Sequence, residues 1–427
     1  MNAKNLFKAI NEHAISLINY HIGVLKLDHA DFSRIDDDIR MILMENKIHL
    51  QPGCKERLYL PRDQLGRGLQ NVEHRSEQML LQLRNSLEES KASCSRRAAI
   101  LEVENKCKTH LSLIPSFLSA KYSIPETITL EKLREAQTKA LLSEIKNRKT
   151  HEKLFRAGDN ELTSVKDSSI WLKDGNNSAR DEAAFCYLQD RNIFWGENIM
   201  CPHCKAFAKT VDHLATKCDR MLGHDYMRRH NEVVKCLHLL LCNKFGFKNA
   251  KKLRTHSVQE IIENENAEIR VDTRITTDIK IQNNRPDIFI YDKKRKEIIL
   301  IEIGITNQDL LQTVENEKMR KYDLLANELG LMYKCKTKII PYVMTWEGLV
   351  TICHKKYTKE LGVPLNVEAY IQSRVLKKTL ESISFDRRRN LVDGNDLEEE
   401  TEAALRRLTM TEAREPDPQE IKEIVQA

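Results

Sequence analysis

Two acids and two lysines in this chain have types and spacings that suit phosphodiester chemistry. Asp287 follows Pro286 in RPDIFIYDKKRKEIILIEIGI, Arg285 to Ile305, and Glu302 stands fifteen positions later, beyond a short cationic turn. Antiparallel pairing of the two apolar runs brings both carboxylates to one edge of a sheet, where they repel unless a divalent cation or a proton intervenes. Mg²⁺ or Mn²⁺ suits oxygen ligands from Asp287, Glu302 and the Ile303 carbonyl, completed by water and a phosphate. Such an ion polarises a phosphoryl oxygen and lowers the pKa of an attacking water, while a nearby lysine offsets charge in the transition state. Gly304 occupies the position two residues past Glu302, so that lysine has to come from elsewhere. In EKMRKYDLL, Lys318 and Lys321 share one helical face beside Tyr322. The ordinary alternatives are a Pro-Asp turn, a strand carboxylate paired with a cation, and surface lysines.

A second constellation is CPHCKAFAKTVDHLATKC, which sets Cys201, Cys204, His213 and Cys218 in the pattern C-x2-C-x8-H-x4-C. Three thiolates and an imidazole at this spacing suit tetrahedral Zn²⁺, the first pair in a knuckle and the second about one helical turn apart. Four protein ligands close the coordination sphere, so this zinc is expected to be structural. His203 lies inside the knuckle, where the cysteines already supply that corner. The other eight cysteines are scattered without disulfide-like spacing and read as reduced thiols. In RRHNEVVKCLH, Glu232 is a candidate third acid and Arg229 or His230 a candidate phosphate contact; a plain helix start accounts for the same residues.

These groups need elements to hold them. Ile288 to Tyr291, Ile298 to Ile301 and Lys336 to Trp346 are short, nearly continuous apolar runs, as in strands covered on both faces. A helix from about Gln312 to Leu329 separates the second from the third, which predicts an α/β sandwich around a mixed sheet. Upstream, Ile35, Ile39, Ile42 and Leu43 mark the buried stripe of a helix whose Asp36, Asp37 and Asp38 face solvent. RLYLPRDQLGRGL, Arg57 to Leu69, reads as a turn-rich extended piece before a helical region from about Val72 to Gly158, and Ser164 to Asn176 as a loop. Beyond about Arg387 the chain is dominated by charge.

At 427 residues the chain has room for two or three domains. Its 31% charged and 6% aromatic residues describe long solvated helical faces, and a net charge of +6 permits a polyanionic partner without requiring one. No apolar run approaches the roughly 18 to 20 residues of a membrane span, and the N-terminus is too polar for a signal peptide.

Together RLYLPRDQLGRGL, TVDHLATKC, YMRRHNEVVKCLHLLLC, RPDIFIYD with the acid at Glu302, and EKMRKYDLLANEL resemble the C-terminal region of non-long-terminal-repeat retrotransposon polyproteins that carry a restriction-like endonuclease. The resemblance runs from about Leu27 to Pro364. It implies the PD-(D/E)xK nuclease fold, with Asp287 and Glu302 holding the divalent metal and Lys318, Lys321 and Tyr322 as a displaced basic motif. It also implies that the CCHC knuckle and the segment Arg229 to Asn231, with Arg285, help hold target DNA. In the family the endonuclease nicks chromosomal DNA in the nucleus, and an adjoining reverse transcriptase extends the free 3′ end on the element's RNA. The implied parts are the end of a polymerase thumb at 1–70, a helical linker at 71–195, the knuckle at 196–224, the endonuclease at 225–365 and a charged helical or disordered tail at 366–427. No polymerase active-site loop is recognisable, so the chain is not expected to polymerise by itself, and a full-length reverse transcriptase subunit is a candidate partner. A catalytically silent nucleic-acid-binding remnant is the competing expectation.

Overall fold

The computed structural model of the protein describes residues 1–22, 29–124, 127–194, 200–248 and 252–390. The chain is mixed α/β, mostly helical with one five-stranded mixed sheet. It divides into two compact units: Met1–Phe155 with Ser178–Ala183, and Arg156–Asn177 with Ala184 onward. These limits differ from the 1–70 and 71–195 division expected from sequence, because Phe7, Leu58 and Leu69 share one core with Leu80, Leu118 and Leu133. No described helix is long and apolar enough to cross a membrane.

The first unit is a helical assembly that includes α1 (His29–Glu45), α2 (Val72–Glu89), α3 (His110–Tyr122) and α4 (Leu130–Lys146). The solvent-facing reading of the aspartate triplet fails at its first member. Asp36 is 2% exposed, and its carboxylate accepts the amides of Val72 and Glu73 at 2.9–3.1 Å, capping α2 together with Asn71. An acid at a helix N-terminus satisfies orphan amides and meets the positive end of the dipole. The buried stripe of α1 therefore runs through Phe32, Asp36 and Leu43, while Ile42 is 58% exposed. RLYLPRDQLGRGL is likewise more tightly held than a turn-rich strap. Arg57 and Arg67 are buried, Arg67 pairs with Glu182 at 2.9 Å, and Arg62 bonds the same carboxylate. Gly66 is required there, since a Cβ would come within 2.1 Å of the Leu60 carbonyl oxygen.

The second unit opens with Val165–Ser168 and Ile170–Lys173, two short helices where a loop was expected, with Ile170, Trp171 and Leu172 buried. After α5 (Val211–Thr216) and α6 (Met227–Lys244) comes the sheet: β1 (Ile261–Glu263), β2 (Ala267–Val271), β3 (Ile288–Asp292), β4 (Glu297–Thr306) and β5 (Lys336–Thr345). Spatial order follows sequence order; β1 to β4 are antiparallel and β5 runs parallel to β4. A parallel neighbour requires a crossover, supplied by α7 (Leu311–Arg320) and α8 (Asp323–Tyr333). The single helix expected from Gln312 to Leu329 is thus two, broken at Lys321–Tyr322. One sheet face buries Phe289, Ile298 and Leu300 under Tyr322, Leu325 and Leu329. Pro341 is tolerated because β5 is an edge strand. The last described element, α9 (Leu365–Asn390), packs on α6. Residues 366–383 of the expected charged tail are therefore part of the packed unit, with Ile371, Val375, Leu376 and Leu380 at 2% exposure or less. The rest of that tail, from 391, lies outside the described residues.

Candidate active site and metal centre

Sheet register sets the acids opposite each other. Ile288 pairs with Ile301 across β3 and β4, so Asp287, just ahead of β3, faces Glu302. Asp287 Oδ2 accepts the Ile303 amide at 2.7 Å and lies 3.1 Å from His230 Nε2. Glu302 is 1% exposed, and its Oε1 receives Lys318 Nζ at 2.6 Å and Lys321 Nζ at 2.7 Å. Its Oε2 is buried with no hydrogen-bond partner.

The surroundings explain why the lysines come from the crossover. Glu302 and Gly304 lie on the same face of β4, two residues apart. A Cβ on Gly304 would stand 3.2 Å from Val343 Cγ2 and 3.3 Å from Val314 Cγ1. No long side chain fits there, and the helix that occupies the space carries Lys318 at its end. The helix break then delivers Lys321 from the turn, with its Nζ 4.8 Å from the centroid of the Tyr322 ring. Tyr322 is itself buried and donates its hydroxyl to the Arg285 carbonyl at 2.6 Å, tying the crossover to the loop ahead of Asp287.

Electrostatics follow from this packing. Burial raises the Asp287 carboxyl, but the His230 hydrogen bond and charge, the Ile303 amide and Lys318 outweigh it and hold the group below the usual carboxylate value. Burial works against charge on His230 as well, and the bond to Asp287 more than offsets it, so the imidazole sits above its ordinary value. Burial is overcome in the same way at Lys321, where the Glu302 hydrogen bond raises the ammonium above the usual lysine value. Lys321 is therefore a fixed positive charge and donor at neutral pH. Burial pushes Tyr322 up to about 12, so it stays a neutral phenol.

Other expected contacts fall elsewhere. Glu232, expected as a candidate third acid, is bound by Arg374 of α9 at 2.5 Å. Arg229 is 1% exposed and donates to the Ala215 carbonyl, which removes it as a phosphate contact. The signal was present: Arg229 shares the α6 face of Val233, Leu237 and Leu240 at three- and four-residue spacing. Arg285 is at the surface, where it pairs with Asp272 at 2.8 Å. His230, expected as a phosphate contact, instead holds an acid; Asn231 Oδ1 lies 3.2 Å from its Nδ1 and fixes the ring.

The Cys/His cluster forms around a hairpin and a helix end. Met200 bridges Ala208, the Cys201 amide donates to the Phe207 carbonyl at 2.7 Å, and Lys205 takes a left-handed φ of 56° between them. Thr210 caps α5 through the His213 amide, and the Cys218 amide returns to the His213 carbonyl at 2.8 Å. Cys201 and Cys218 sulfurs are 3.8 Å apart, Cys204 Sγ and His213 Nε2 are 3.3 Å apart, and all four ligand atoms fall within 4.8 Å of one another. Zn–S bonds of about 2.3 Å define a tetrahedron with edges of roughly 3.8 Å, so the group can bind a metal such as zinc. His203 is outside this set.

No family model matches the chain, and no curated protein matches it.

Proposed function

We propose that the protein is a divalent-metal-dependent DNA endonuclease of the PD-(D/E)xK type from a non-LTR retrotransposon, nicking target DNA in the nucleus to leave a 3′ hydroxyl for target-primed reverse transcription. The observation that carries this reading is the divided environment of Glu302. One oxygen is neutralised by two lysines, while the other is buried without a partner, on the residue that the sheet register sets opposite Asp287. An orphaned buried carboxylate oxygen is costly unless something completes it. Glu302 Oε2 and the Asp287 oxygen left over from the Ile303 and His230 contacts are the oxygens that would hold Mg²⁺ or Mn²⁺. When bound, the ion supplies Lewis acidity toward the phosphoryl oxygen and a water of lowered pKa.

The protein's own residues do the rest. Lys318 and Lys321 place two positive charges where a phosphodiester gains negative charge, and the protonated state of Lys321 makes it an electrostatic group, not the base. His230 and the Ile303 amide fix the Asp287 carboxylate, and Tyr322 holds the loop that carries it. The Cys201–Cys204–His213–Cys218 group, with structural Zn²⁺, would steady the DNA-gripping surface. A full-length reverse transcriptase and the element's RNA are the partners this role calls for.

A second reading is a nucleic-acid-binding remnant without cleavage activity. It is favoured by the pairing of both lysines with one carboxylate oxygen, which balances two acids with two ammonium groups before any ion arrives. Supercoiled plasmid incubated with the protein and Mg²⁺ or Mn²⁺ separates the two. The endonuclease reading expects metal-dependent nicking that falls at least ~100-fold in Asp287→Ala and Glu302→Gln, as removal of a strongly stabilising electrostatic group does. Salt-sensitive DNA binding with no nicking would leave only the second reading.

A further inference from the structure

We propose that His238, Cys242 and His256 form a second metal site, taking one Zn²⁺ ion apart from the cluster at Cys201 to Cys218. His238 and Cys242 are four residues apart on α6, so one face of one helix presents both. His256 follows the short helical turn Leu253–Thr255 and meets them from the other side. His238 Nδ1 and His256 Nε2 are 2.8 Å apart, and Cys242 Sγ lies 3.6 Å from His238 Nδ1. The three ligand atoms fall within 4.8 Å of one another.

The setting argues for a bound ion over a bare hydrogen-bonded pair. His238 and Cys242 are each 1% exposed and His256 is 6% exposed. Burial of all three groups around one point favours a shared partner that meets every ligand atom at once. Without metal, one N–H is shared between the two rings. Two imidazoles and a thiolate are a soft-to-borderline donor set that suits zinc, with one tetrahedral position left to a small ligand such as water. Tetrahedral Zn–N bonds of about 2.0–2.1 Å need nitrogens roughly 3.3 Å apart, so loading parts the rings by about half an ångström.

Binding is balanced as follows. The proton shared by the rings moves to the outward nitrogen of the ring that carried it, leaving two lone pairs facing inward. Cys242 gives its thiol proton to solvent, two Zn–N bonds and one Zn–S bond form, and one H⁺ is released per ion. The ion would pin the chain leading to β1 against the helix whose other end carries His230.

The test is zinc stoichiometry on the full chain after exhaustive dialysis, by elemental mass spectrometry. Wild type should hold two ions, the Cys242→Ala/His256→Asn double variant one, and Asp287→Ala still two. X-ray absorption on the zinc-loaded wild type needs no variant: both sites together give four sulfurs to three imidazole nitrogens over two ions. The Cys201–Cys218 cluster alone gives three to one. A single ion with the three-to-one shell overturns the proposal, as does a second ion that survives in the double variant or is lost from Asp287→Ala. If the double variant fails to fold, the absorption result decides.

Discussion

The two oxygens of Glu302 have different neighbourhoods, and substitutions around them should separate cost from chemistry. With Lys318 and Lys321 both replaced by Met, the buried carboxylate keeps its desolvation penalty and loses its compensation. Removing partners from a buried charge costs about 3–5 kcal/mol, and partial exposure of both lysines brings the expectation nearer ~2–3 kcal/mol. Adding Glu302→Gln removes the charge itself and should restore much of that loss in urea melts, while nicking remains absent. A triple variant no more stable than the double would show that the lysines do not compensate Glu302. At this scale the acids were legible, because a strand–turn–strand pattern fixes which side chains oppose each other. The partner of Asp287 was not: RHN at the start of a helix does not say which sheet edge that helix crosses.

Among the elements, α9 illustrates how charge in a sequence can hide a buried face. Its Glu368 is 2% exposed and accepts from His354 Nε2 at 2.9 Å, from Gln372 and from the Tyr342 hydroxyl. Burial raises this carboxyl, but His354, Tyr342 and Gln372 outweigh it and hold it below the ordinary glutamate value. A depressed carboxyl stabilises the fold above its unfolded pKa and loses that contribution as pH falls through the folded value. Glu368→Gln should therefore cost about 3–5 kcal/mol at pH 7, with the gap to wild type closing below about pH 4.5 in melts followed by circular dichroism. A gap that stays constant down to pH 3 would contradict the assignment. β3, β4 and β5 were readable from their unbroken β-branched runs. β1 and β2 were not, because IIE and AEIRV are short and interrupted by acids, and β1 has an exposed Ile261. Likewise, Lys321–Tyr322 breaks a helix without glycine or proline, so only the packing of Tyr322 under the sheet reveals the turn.

For the whole molecule, tryptophan fluorescence reports on the second unit alone. Trp171 and Trp346 are fully buried in the second unit, and the first contains no tryptophan. Stripping zinc with a strong chelator should therefore move the tryptophan-fluorescence transition. A unit of this size shifts by roughly 2–4 °C per kcal/mol, so a loss of ~3 kcal/mol lowers the midpoint by about 6–12 °C. An unmoved fluorescence midpoint would rule out a structural ion in that unit. The boundary near residue 155 was not legible, since the helical region expected from about Val72 to Gly158 runs across it.

The Tyr322 hydroxyl bond to the Arg285 carbonyl joins two stretches that are remote in sequence. The turn that swings Lys321 over Glu302 is also the tether of the loop ahead of Asp287. Damage to either end is thus felt at the other, and Tyr322→Phe combined with Lys321→Ala should impair the centre by less than the two separate losses multiplied together. A change at one of these contacts therefore calls for a compensating change at its companion.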